Sequence, residues 1–303
     1  MKKKHLPPDI QTYKGKFRLP APRIFTYKPN KKVVVFDLDE TLGSFGDLYL
    51  LWSGIQHILP KYSDFNSFTD IYPEFLRYGI LNILQFIYEK KQKGECYKMF
   101  IYTNNQCPKN WVQSIGDYLQ YKLKIHGKPP LFDHIIRAFK IGNKCVEFTR
   151  TSHQKTHEDL ISCTLLPKTT EICFIDDMEF SQMKQDKVYY IRPRPYFHGL
   201  SLNEMFERMF SFFQRENDIK SSTLLFSTEY WFQWFILNNR KDISFHKKIE
   251  IEIEIEISKK MMFSIKEFFI LTTYYENKHR KTRKQIKSIK EISKIRSLDS
   301  IQI

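Results

Sequence analysis

Two pairs of carboxylates are placed where they could do chemistry together. Asp37 and Asp39 stand two residues apart at the end of the apolar run Lys32-Val33-Val34-Val35-Phe36. If extended geometry persists past Phe36, residues i and i+2 face the same side and both carboxylates meet one pocket. Two like charges that close are unfavourable without a cation beside them. A divalent metal is the usual solution, and an all-oxygen donor set suits magnesium. The plainer alternative is a strand that ends in a polar turn, with both carboxylates solvated. The second pair, Asp176-Asp177, closes another apolar run, Glu171-Ile172-Cys173-Phe174-Ile175.

Strands must carry these pairs. An unbroken apolar run bounded by Lys31-Lys32 predicts a strand of a parallel sheet buried on both faces. Met99–Tyr102, 131–139, Glu171–Ile175 and Lys187–Ile191 read as further strands, with a short one after the Gly142-Asn143 turn. Between them, a helix is expected from Pro73 to about Lys93-Gly94, with Phe75, Leu76, Ile80, Ile83, Leu84 and Ile87 at helical spacing. Others are expected over 109–123 and from Ser201 through Phe213. The fold class is therefore α/β, a central mostly parallel sheet flanked by helices. In such open sheets ligands bind at the carboxyl ends of the strands, so carboxylates distant in sequence converge. Residues 43–72 have no clean period and read as a small insertion over the pocket, too short for a large cap.

Asp37-Leu38-Asp39-Glu40-Thr41-Leu42 resembles the first motif of the haloacid dehalogenase superfamily, in the form favoured by phosphatases of the RNA polymerase II C-terminal domain. The remaining motifs follow in order over about residues 32–200. Thr103, in Thr103-Asn104-Asn105 at a strand end, resembles the second; a hydroxyl and neighbouring N–H groups there can donate to a phosphoryl oxygen. Lys155 resembles the third, near a helix start, although three residues separate it from Asp159 and Lys168 competes for the role. Asp176-Asp177 resembles the fourth in its Asp-Asp form, where the polymerase phosphatases usually carry Asp-Asn. Arg77-Tyr78-Gly79 falls where those phosphatases carry Arg-Pro-Gly. The resemblance implies a Rossmann-like fold and a Mg²⁺-dependent phosphomonoester hydrolase. In it Asp37 is the nucleophile that forms an aspartyl-phosphate, Asp39 the general acid and base, and Thr103 and Lys155 bind the phosphoryl group. It also implies that Mg²⁺ is held by the Asp37 carboxylate, the Asp39 carbonyl and the Asp176/Asp177 pair, with either of the last two as the direct ligand. Thr41 would orient the catalytic pair.

Composition bears on partners. The net charge of +15 is carried by the ends: residues 1–32 hold +9 and residues 278–303 hold +7, leaving the 245 residues between them near neutral. Such ends attract polyanions, whether nucleic acid, acidic protein tails or phosphorylated substrates, or else they are solvated extensions. Five widely spaced cysteines without Cys-x-x-Cys argue against a disulfide framework and a zinc site. No secretory signal and no membrane-spanning run are read, so an intracellular home, cytoplasmic or nuclear, is expected.

The chain accordingly divides into a basic Pro-rich arm (1–30) that reads as extended or disordered, a phosphatase-like domain (31–215), an aromatic-rich extension (216–277) and a basic tail (278–303). Within the extension, Ile249–Ile257 alternates Ile and Glu, which is strand-like; the tail could form a surface helix, and no chemistry is assigned past residue 215. The substrate expected first is a phosphoserine or phosphothreonine protein. A small-molecule or nucleotide phosphatase is the runner-up, and a non-catalytic binding module that keeps the fold is the third reading.

Overall fold

The computed structural model describes residues 9–20, 30–127, 129–215 and 250–273. Its strands are β1 (Ile10–Tyr13), β2 (Lys32–Phe36), β3 (Lys98–Tyr102), β4 (His134–Ile136), β5 (Lys140–Ile141), β6 (Lys144–Cys145), β7 (Glu171–Ile175) and β8 (Val188–Pro193). Its helices are α1 (Gly46–Ile58), α2 (Phe65–Asp70), α3 (Ile80–Gln92), α4 (Lys109–Lys122), α5 (His157–Thr164), α6 (Leu202–Arg215) and α7 (Ile251–Ile270). Six strands form one sheet in the order β1-β8-β7-β2-β3-β4, and β5 and β6 form a separate hairpin. All pairings in the large sheet are parallel except that of β1 with β8. The chain is thus a mixed α/β protein with a mostly parallel central sheet.

The continuous apolar runs are explained by burial on both faces. Val34, Phe36, Met99, Ile101, Cys173, Ile175, Tyr189 and Ile191 join the larger core, with residues of α3, α4, α6 and α7. Their neighbours Val33, Val35, Phe100, Tyr102, Ile172, Phe174, Val188 and Tyr190 point the other way, against Leu160 of α5. The chain runs from β2 outward to β3 and β4, then returns to β7 and β8 on the other side. The strand order therefore reverses between β2 and β7, the place where open α/β sheets bind ligands.

Five expectations are corrected. The arm is not wholly irregular: Ile10–Tyr13 pairs antiparallel with β8, Ile10 opposite Pro193 and Tyr13 opposite Tyr190. The helix expected from Pro73 is a single 3₁₀ turn (Pro73–Phe75), and α3 starts only at Ile80. Leu76 is extended there, and Gly79 is left-handed at φ 72°. The strand expected over 131–139 shrinks to His134–Ile136. Before it, the Asp133 carboxylate accepts from Met99 N at 2.8 Å; after it, Arg150 takes the Arg137 carbonyl at 2.8 Å. The 43–72 insertion, read without a clean period, contains the helices α1 and α2, and its aromatics pack on one another and on the body. Trp52 lies against Phe65 and Phe68, Phe65 against Trp111 of α4, and Tyr62 against Phe213 of α6.

The fifth correction is the largest. The Ile/Glu alternation is not a strand but the first turns of the 20-residue helix α7. Its buried positions are Glu254, Ile257, Met261, Ser264, Ile265 and Phe268, spaced by three and four as a helix requires. Residues 250–273 belong to the same compact unit as the sheet. At the far end of α7 the Lys32 ammonium donates to the carbonyls of Phe268 (2.6 Å), Phe269 (3.1 Å) and Leu271, satisfying the last turn. The stretch 222–238, the basic tail and most of the arm lie outside the described residues. Among the described residues no helix is long and apolar enough to cross a membrane.

Candidate active site

Asp37 directly follows β2, and its N–H still donates to Ile175 O at 2.8 Å, in register with β7. Asp176 directly follows β7 in the same way, its N–H reaching Ile191 O at 3.2 Å. Two adjacent parallel strands therefore deliver two carboxylates side by side. Lys155 comes from the segment before α5. Its neighbour Thr156 caps that helix, accepting from Asp159 N at 2.9 Å, while the Asp159 carboxylate accepts from Thr151. Held there at 2% exposure, the Lys155 ammonium donates to Asp37 Oδ1 and, at 2.7 Å, to Asp176 Oδ2. Lys168, the competing lysine, is exposed, and its carbonyl accepts from Lys187.

Asp177 bonds Thr41 twice: Thr41 Oγ1 donates to its carboxylate, and its N–H lies 3.0 Å from the same hydroxyl oxygen. Thr41 thus acts on Asp177 rather than on Asp37 or Asp39. Asp39 accepts from Asn105 Nδ2 at 2.8 Å. Thr103 is buried at the end of β3. Its hydroxyl oxygen accepts from Asn105 N at 2.9 Å, which folds the Thr103-Asn104-Asn105 turn back toward Asp39. Arg150 supports that turn from behind, donating to Thr103 O (3.0 Å) and Asn104 Oδ1 (2.8 Å).

The electrostatics are those of a crowded acidic pocket. Burial pushes the Asp39 carboxyl up to about 7; the Asn105 hydrogen bond opposes the shift and the Asp37 charge adds to it. Burial together with Asp39 and Asp177 raises Glu40 to about 8. Asp176 and Asp177 are also raised, by burial first; Lys155 opposes this for both, whereas Asp37 reinforces it. For Lys155, burial pulls downward, but the Asp176 and Asp37 charges outweigh it and keep the amine charged.

One carboxylate oxygen each of Asp37, Asp176 and Asp177 lies within 4.8 Å of the others, close enough to hold a metal ion. The donor chemistry fits a hard divalent cation: every ligand is oxygen, and raised carboxyls mark a deficit of positive charge. Asp39 contributes no side-chain oxygen to this cluster.

Of the six residues expected at the site, Asp37, Asp176, Asp177 and Lys155 come together in one group, and Asp39 and Thr103 are joined to each other through Asn105. Sequence reasoning missed Asn105, although it lies in the quoted turn, because an Asn beside a Thr carries no signal of its own. It also missed Arg150, Arg77 as a contact to the catalytic turn, and Glu254, whose partners lie far away in the chain. No family model, no curated protein and no solved structure matches the chain.

Proposed function

We propose that the chain is a Mg²⁺-dependent phosphomonoester hydrolase of the haloacid dehalogenase type, acting on phosphoserine or phosphothreonine in proteins. The observation that carries this reading is the Lys155 ammonium seated between Asp37 and Asp176 at the reversal of strand order. Asp37, with one oxygen on Lys155, keeps its second oxygen for attack. That oxygen forms a bond to phosphorus, the bond from phosphorus to the substrate oxygen breaks, and the leaving oxygen takes a proton from Asp39. In the second half, Asp39 accepts a proton from water, the new oxygen bonds to phosphorus, and the aspartyl bond breaks to release phosphate. Asp39 is suited to both halves because burial places its carboxyl near neutrality.

Asp37, Asp176 and Asp177 would hold the cation, which supplies positive charge to a phosphate close to −2 at neutral pH. Lys155 adds a second positive charge on the same side. The Thr103 hydroxyl would donate to a phosphoryl oxygen while its oxygen accepts from Asn105 N. A macromolecular substrate is supported by the basic ends of the chain.

Phosphate release from phosphopeptides, nucleotides and sugar phosphates, with Mg²⁺ or with EDTA, tests the proposal. Release should be greatest from peptides and absent with EDTA, and Asp37→Asn should lower kcat by at least about a thousandfold. Preference for small phosphates would transfer the reading to a metabolite phosphatase. Silence across the panel would leave a binding module.

A further inference from the structure

We propose that Arg77 and Glu254 are positioning residues for the turn that follows Asp37 and Asp39, and that the C-terminal helix α7 supplies the counter-charge that keeps Arg77 in place. The claim rests on the phosphatase reading only for its effect on turnover. Arg77 is 1% exposed and spends its donors on backbone: Nε on Thr41 O at 2.7 Å, and Nη2 on Glu40 O at 2.5 Å and Arg194 O at 2.7 Å. Its Nη1 donates to Glu254 Oε2 at 3.2 Å, and the guanidinium lies 5.3 Å from the Tyr196 ring centroid. Three carbonyls carry no net charge, so the carboxylate of Glu254, 3% exposed, is the ion-pair partner of this buried guanidinium, with Arg194 Nη2 3.8 Å from its other oxygen.

The turn needs such a hold. Glu40 sits at φ 56°, a left-handed conformation that a side-chain-bearing residue adopts only when its surroundings impose it. Its N–H donates to Gly43 O at 2.7 Å, and its carbonyl accepts from Arg77 and from Tyr196 N at 2.9 Å. Arg77 therefore fixes the two carbonyls after Asp39, and the second belongs to Thr41, whose hydroxyl bonds Asp177. One guanidinium thereby connects the Asp39 side of the site with the Asp177 side. The contact with α7 is close: a Cβ at Gly79 would fall 2.1 Å from Ser258 Oγ.

The first variants to make are Glu254→Gln, which keeps the shape and removes the charge, and Arg77→Lys, which keeps the charge and loses the fork. Two readouts are compared with wild type. Hydrogen exchange of the Glu40 and Leu42 amides reports the turn itself, with the amides of β7 as internal control. Steady-state kinetics on p-nitrophenyl phosphate with Mg²⁺ separates kcat from KM. The expected result is at least tenfold faster exchange confined to residues 38–44 in both variants. It should be accompanied by kcat down about tenfold in Glu254→Gln and further in Arg77→Lys, with KM within about twofold. Unchanged exchange at the turn overturns the proposal, as does exchange accelerated equally in β7, which would mark general destabilisation. If wild type itself releases no phosphate, the exchange readout still decides whether the brace exists, so failure of the two readings is separable.

Discussion

At the scale of single residues, the contact that bears most directly on Asp39 is Asn105 Nδ2 to Asp39 Oδ2. Burial pushes the Asp39 carboxyl up to about 7, while this hydrogen bond favours its charged form and pulls it down. In the proposed hydrolysis the first step needs Asp39 protonated, so kcat/KM should fall as pH rises past about 7, and a bound divalent cation would move that limb lower. Asn105→Ala removes the restraining bond, so the descending limb should shift to higher pH while maximal turnover drops. A pH–rate profile of both proteins on one phosphopeptide checks this; a limb that stays in place would separate Asn105 from the titration. Asp37, Asp39, Asp176 and Asp177 were legible because they close apolar runs, whereas Thr103 and Lys155 were read through the family resemblance. Asn105 and Arg150 were not, since their roles exist only once the turn after β3 folds onto Asp39 and Arg137.

Among the elements, α7 is where sequence and structure part most. Period-two alternation over Ile249–Ile257 is a strand signal, yet the buried set Ile257, Met261, Ile265 and Phe268 continues with helical spacing beyond it. The glutamates tolerate a helix, and Glu254, which would otherwise be a buried charge, meets Arg77. Tertiary packing overrode a local pattern. The same holds at Pro73, where apolar spacing read as one long helix hides an extended residue and a left-handed glycine before Ile80. By contrast, strands β2, β3 and β7 were readable almost to the residue, because burial on both faces leaves little choice but continuous apolar sequence. If α7 is an integral part of the core, Ile265→Ala should cost about 2–5 kcal/mol of stability. Gly79→Ala should also destabilise, by about 1–3 kcal/mol, from positive φ combined with the contact to Ser258. Urea unfolding of each variant tests both; near-wild-type midpoints would mean that α7 is peripheral.

For the molecule as a whole, the acidic pocket ties stability to pH and to metal with a sign that can be worked out. Asp39 and Glu40 are raised to about 7 and about 8, and Asp176, Asp177 and Glu254 are raised as well, each with burial as the leading cause. A carboxyl whose folded value lies above its unfolded value contributes most below the unfolded value, near pH 4. That contribution is lost as pH climbs through the folded value. The metal-free protein should therefore lose stability between about pH 4 and 8. Carboxylates held below their ordinary range, such as Glu74 beside Arg208, act the other way only at lower pH and do not mask this window. Lys155, held above its usual value, gives up its contribution only in strong alkali. A divalent cation at Asp37, Asp176 and Asp177 must displace protons from the raised carboxyls, so its binding should release protons and tighten as pH rises. Thermal melts with and without Mg²⁺ at pH 5.5 and pH 8 should give a metal-induced rise in Tm that is larger at pH 8. Calorimetry in two buffers of different ionisation enthalpy should record the released protons directly. An equal rise at both pH values, without proton release, would mean that the cation binds elsewhere and that the carboxyls of this pocket are not its ligands.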